Sequence, residues 1–109
     1  MSEQIQASHI LVSYVAAQNS SSQLTKEEAL NHIQGLKSQV QSGTRFSEIA
    51  IEFSDCPSAE KGGDLGTFGR GAMVKAFDIA VFELEVGEVS DVVETEFGYH
   101  LIHRTGWVP

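Results

Sequence analysis

One cysteine, Cys56, is the whole thiol content of this 109-residue chain. A lone cysteine excludes an internal disulfide and a cysteine-rich metal site, and it fits a reducing compartment. Positive charge is also thin. Seven Lys and Arg stand against fifteen Asp and Glu, a net charge of −8. The basic residues are scattered, and none precedes Lys26. Nucleic acids and anionic membrane surfaces are bound through clustered basic residues, so the composition argues against both as partners. No apolar run approaches the roughly 20 residues of a membrane-spanning helix. The N-terminal MSEQIQ is polar and acidic, unlike a secretory signal. The expectation is an intracellular protein of the cytoplasm, the nucleus or both, monomeric, with no metal and no cofactor.

What is present fits a globular protein: 41% hydrophobic and 20% charged residues. The length suits one modest core, so one domain is expected over residues 1–109, either complete or cut from a longer protein. Residues 6–15 alternate weakly and are rich in strand formers, which predicts a strand. A polar Ser/Asn-rich loop follows over 16–24. Thr25 and Glu28 form a capping box at the head of a helix. Ala29, Leu30, Ile33, Leu36 and Val40 give that helix its apolar stripe, and Gly43 ends it. Phe46, Ile49, Ala50 and Phe53 predict a second, short helix ending near Ser54. A short strand is expected at 65–68, and a third helix from Val74, with Phe77, Ala80, Val81 and Leu84 inward and Gly87 as its stop. Strands are then expected at 89–95 and 99–105, around a turn at Phe97-Gly98. Strands at both ends with helices between predict an α+β fold, a small sheet with helices packed on it.

The segment from Cys56 to Phe77 stands out. It carries five of the ten glycines (Gly62, Gly63, Gly66, Gly69 and Gly71) with Leu65, Phe68, Met73 and Phe77 set among them. Sharp bends beside large apolar residues fit a wall folded around an apolar ligand. They also fit a plain loop and strand whose apolar residues are core, and the pattern alone favours the plainer reading.

Four histidines are candidates for chemistry. His9 lies in the first predicted strand and His100 in the last. Terminal strands of a small sheet are often neighbours, so the two rings can lie side by side, as a hydrogen-bonded core pair or as part of a site. His100 and His103 have the spacing of a metal pair. On a strand, however, that spacing points them to opposite faces. His32 lies off the apolar stripe of its helix and is expected to be solvated. Cys56 follows a helix end and the acidic Asp55. Neither favours a thiolate, so an inert, buried cysteine is the better reading from its neighbours. The glycines match no phosphate-binding loop.

Taken together, the motifs SHILV (8–12), FSEIAIEFSDCPSA (46–59), GGDLGTFGRGAMVKAF (62–77), VGEVSDVV (86–93) and FGYHLIHRTG (97–106) resemble the parvulin family of peptidyl-prolyl cis/trans isomerases. Nearly the whole chain is covered, and the motifs occur in the family's order. The loop and TKEEAL (25–30) resemble the subgroup that includes the phosphorylation-dependent mitotic isomerase. The resemblance implies a four-stranded antiparallel sheet surrounded by helices, and rotation of X-Pro bonds in proline-containing peptides and proteins. It implies that His9 and His100 form the floor of the site, that Thr95 joins their hydrogen-bond network, and that Cys56 sits beside the rotating bond. Leu65, Met73 and Phe77 are then the pocket for the proline ring, with Phe68 behind them in the core.

One departure bears on substrate choice. Phospho-specific members carry a Lys just after the first strand and an Arg pair in the next loop; here Ser13 takes the Lys position, and residues 1–25 hold no Lys or Arg. Phosphate recognition relies on charge-assisted donors. The expected function is therefore X-Pro isomerisation without covalent chemistry and without dependence on phosphoserine or phosphothreonine. The alternatives are a proline-peptide binding or chaperone-like module with weak turnover, and a Cys/His hydrolase.

Overall fold

The computed structural model describes residues 4–18 and 20–108, with the backbone alone at 107 and 108. Asn19, in the predicted 16–24 loop, and the first three residues of the polar N-terminus lie outside the described residues. The elements run β1 (Gln4–Val12), α1 (Lys26–Gln41), α2 (Phe46–Phe53), a 3-10 turn (Pro57–Lys61), β2 (Asp64–Gly69), α3 (Lys75–Glu83), β3 (Val93–Thr95) and β4 (Gly98–Val108). The strands form one antiparallel sheet in the order β2-β1-β4-β3. The first and last strands are thus central neighbours, as expected.

Strand alternation sorts the core into two layers. Ile10, Val12, Tyr99 and Leu101 face α1 and α2, meeting Ala29, Ile33, Leu36, Phe46, Ile49 and Ala50. Ile5, Ala7 and Ile102 face the other way and meet Phe68, Phe77, Val81 and Leu84. Thr25 caps α1 as predicted: the Glu28 amide donates to its hydroxyl (3.1 Å), and the Thr25 amide donates to the Glu28 carboxylate (2.9 Å).

Three predicted boundaries shift, each for a local reason. The first strand runs 4–12 rather than 6–15. At Ser13 the amide donates to the Asp55 carboxylate (2.8 Å) and the hydroxyl to the Phe97 carbonyl (2.8 Å), so the chain leaves the ladder. The strand expected at 89–95 is reduced to Val93–Thr95 and one bridge between Val89 and His103. The Ser90 hydroxyl accepts from the Ile102 amide (3.0 Å) and donates to the Asp91 carbonyl (2.7 Å), so a side chain interrupts the pairing. The last strand continues beyond 105 because β1 pairs with it as far as Gln4–Val108. His32 also differs from expectation: its ring meets Phe53 edge-on, with centroids 5.3 Å apart.

Gly63 brings the glycine-rich segment to the sheet. The His9 amide donates to its carbonyl (2.9 Å), and its φ is +84°. A Cβ there would lie 2.3 Å from the His9 carbonyl oxygen. Only glycine permits this approach, which fixes the backbone of β1 at His9.

Candidate active site

His9 and His100 lie on the α3 face of the central strand pair, where β1 and β4 place them diagonally: His9 is opposite Ile102, and Leu11 is opposite His100. The rings stack with centroids 5.2 Å apart and planes 20° from parallel, and their Nδ1 atoms are 3.1 Å apart. Two Nδ1 atoms at that distance share one proton, so one ring donates and the other accepts. Thr95, at the end of β3, closes the chain: its Oγ1 is 2.7 Å from His100 Nε2 and accepts from the Phe97 amide at 3.2 Å. If the Thr95 hydroxyl donates to Nε2, His100 donates through Nδ1 to His9. That direction uses both the donor and an acceptor of Thr95. The second ring nitrogen of His9, Nε2, is buried and makes no hydrogen bond to a described group.

Both rings are neutral near pH 7. Burial lowers the pKa of His9 to about 4. Burial, with the neighbouring His9 second, lowers that of His100 to about 3. Protonating both would turn both Nδ1 atoms into donors facing each other.

Phe77, from the first turn of α3, meets both imidazoles edge-on, at 5.6 Å from His9 and 5.5 Å from His100. Half-buried Leu65 and Met73 pack against the cluster that contains Phe77 and Phe68. Leu65, Met73 and Phe77 therefore belong to one apolar cluster, and Phe68 is buried in the core as expected.

A cavity of about 320 Å³ adjoins the histidine pair. His9, Cys56 and His100 border it; Leu65, Met73 and Phe77 do not. Cys56 is a half-buried free thiol on its wall rather than a buried core cysteine. The sequence places no helix start after Cys56. The 3-10 turn nevertheless begins at Pro57, a residue suited to the first position of a helix. His103 points away from the site, with its ring 5.3 Å from Phe46 on the opposite face, as strand alternation requires.

Apart from Ser13, most of the other lining residues have no counterpart in the sequence reading of the site. The rest of the wall is Leu11, Ser13, Gln18, Ser20–Ser22, Asp55, Pro57 and Phe97. The serine-rich loop is held there at two points. The Val15 amide donates to the Leu24 carbonyl (2.8 Å) and the Gln18 amide to the Glu96 carbonyl (2.8 Å). Beside it, the Tyr14 hydroxyl and the Lys26 ammonium both bind Glu94 Oε2, at 3.1 and 2.9 Å. The uncharged Ser/Asn composition was the available signal that this loop does something other than solvate the surface.

Chemically, the arrangement offers neutral hydrogen-bonding rings, an apolar cluster against their edges and a polar cavity beside them. Among the described residues no three His, Cys, Asp or Glu side chains come together as a metal site would need. No described helix is long and apolar enough to cross a membrane.

The family model described as the PPIC-type PPIASE domain matches residues 1–106. A peptidyl-prolyl cis-trans isomerase Pin1 of Digitalis lanata is 42% identical over 116 residues, covering 96% of this chain and 98% of its own. The Pin1 isomerase of Arabidopsis thaliana is 40% identical, covering 94% and 96%. Among solved structures, peptidyl-prolyl isomerase ESS1 from Candida albicans superposes with a TM-score of 0.88 at 34% identity, covering 94% of this chain and 63% of its own.

Proposed function

The chain belongs to the parvulin family of peptidyl-prolyl cis/trans isomerases, and from that premise we propose that the His9–His100 pair is the floor on which it rotates X-Pro bonds, without needing a phosphate before proline. Two groups of residues meet at that pair. Leu65, Met73 and Phe77 hold the proline ring on the apolar side. The residue before proline lies in the cavity walled by Ser13, the serine-rich loop and Cys56.

The reaction forms and breaks no covalent bond. An amide resists rotation by roughly 18–20 kcal/mol because resonance gives its C–N bond double-bond character. Each reduction of about 1.4 kcal/mol gives about tenfold in rate. The protein has only to bind the twisted amide better than the planar one. Resonance places charge on the carbonyl oxygen, and water stabilises that charge. An apolar seat for the ring keeps water from the amide and weakens the planar form. The neutral imidazole pair supports this role, since an imidazolium beside the carbonyl would stabilise the charged resonance form that must be lost. Cys56 acts as a polar neighbour of the rotating carbonyl rather than as a nucleophile, and Thr95 positions His100.

Phosphate independence is carried by one observation: no Lys or Arg is among the described residues that border the cavity. A phosphorylated side chain carries about −1.5 to −2 charge at pH 7 and needs cationic partners.

The location is tested by titrating labelled protein with a proline peptide and following the imidazole and Cys56 resonances. They are expected to shift while X-Pro exchange accelerates. Acceleration with those signals unmoved would place the reaction elsewhere.

A further inference from the structure

We propose that this isomerase favours X-Pro bonds in which X is lysine or arginine, with Asp55 as the specificity-determining residue. The proposal deepens the reading of the cavity as the place of the residue before proline, and it rests on that reading.

Asp55 is the one formally charged side chain among the described residues that border the cavity. It is held there from two sides. Its own amide donates to the Leu11 carbonyl (2.8 Å), and its Oδ2 accepts from the Ser13 amide (2.8 Å). Ser13 is fixed in turn by donating its hydroxyl to the Phe97 carbonyl (2.8 Å). Leu11, Ser13, Asp55 and Phe97 all border the cavity, so these bonds lock the carboxylate onto its wall. No ion pair to it is found among the described residues, where Lys26 pairs with Glu94 and Lys37 with Asp91. The histidines add no positive charge near neutral pH, because burial keeps both rings neutral.

Among the described residues, Gln18 and Ser20–Ser22 add polar groups to the wall, whose oxygens can accept from an ammonium or guanidinium. A cationic residue before proline therefore meets a fixed carboxylate and several acceptors. An acidic one meets like charge. The net charge of −8 biases encounter in the same direction.

Asp55 is exposed, so solvent screens the effect, and a selectivity of about fivefold is expected for a pair of this kind. The test measures kcat/KM on matched peptides Ala-X-Pro-Phe with X as Lys, Gln and Glu. Wild type is compared with Asp55→Asn, each at low and high salt. Asparagine keeps an acceptor for the Ser13 amide and removes only the charge. Wild type is expected to favour Lys over Gln about fivefold and to disfavour Glu. Both ratios should move toward one in Asp55→Asn, and in wild type at high salt. Equal rates for Lys and Glu peptides, or a preference that survives Asp55→Asn, would overturn the proposal and leave the isomerase reading standing. No acceleration of any of the three peptides would overturn both.

Discussion

The Nδ1 atoms of His9 and His100 sit 3.1 Å apart although the residues are 91 positions apart in the chain. Both rings are buried, and only the neutral pair can share the single proton between them. This contact joins the two central strands at a pair of rings that Phe77 touches and the cavity borders, so it couples the stability of the sheet to the state of the site.

The first consequence is a dependence on pH. The histidines have pKa values near 6.5 when unfolded and about 4 and about 3 when folded. Below 6.5 the unfolded chain binds more protons than the folded one, so stability falls as pH falls. The contribution is complete above 6.5 and is lost progressively down through the folded values. A tenfold difference in proton affinity between the two states is worth roughly 1.4 kcal/mol, so the pair contributes on the order of several kcal/mol. Proton NMR of the imidazole C2–H signals checks this directly. The His9 and His100 signals should hold constant from pH 8 to 5, and a midpoint between 6 and 7 for either would contradict the assignment.

Thr95 offers a cleaner mutational test than the histidines. Thr95→Val keeps the shape and removes the hydroxyl, leaving His100 Nε2 and the Phe97 amide without that partner. Loss of one partner of a buried polar group costs about 1–3 kcal/mol. Urea denaturation should show that loss in Thr95→Val, with reduced kcat/KM, and Thr95→Ser should recover most of both. Unchanged stability and rate in the valine variant would remove Thr95 from the network.

Cys56 separates a polar neighbour from a nucleophile. Cys56→Ser should retain a substantial fraction of the wild-type rate, within about tenfold, a barrier change of about 1.4 kcal/mol, and Cys56→Ala somewhat less. A covalent mechanism requires a nucleophile at that position, so alanine would then reduce turnover to the uncatalysed rate. Exchange NMR on both variants distinguishes the two outcomes.

Much of this arrangement was legible in the sequence because its signals are local. The Thr25–Glu28 box marked the start of α1, strand alternation placed His100 and His103 on opposite faces, and the terminal strands brought His9 to His100. What stayed hidden depends on contacts between distant segments. Nothing near Ser13 announces that its amide meets Asp55, or that its hydroxyl ends the strand against Phe97. Ser90 interrupts a strand through a hydroxyl that reaches Ile102, a contact that β-propensity does not register. The expectation of an apolar trio came from the family motif, since glycine spacing alone left the plainer reading ahead. The polar wall of the cavity, Gln18 and Ser20–Ser22, is positioned by loop bonds that no periodicity encodes.

In the proposed mechanism, rotation of X-Pro bonds on a neutral histidine floor needs no phosphate on the preceding residue. The most direct test of that mechanism is exchange NMR on one peptide prepared in two forms, Ser-Pro and phosphoserine-Pro, at the same enzyme concentration and at neutral pH. Clear acceleration of the Ser-Pro form is expected, with kcat/KM for phosphoserine-Pro equal to it or lower. A preference of about tenfold or more for phosphoserine-Pro, some 1.4 kcal/mol of binding given to the phosphate in the transition state, would contradict it.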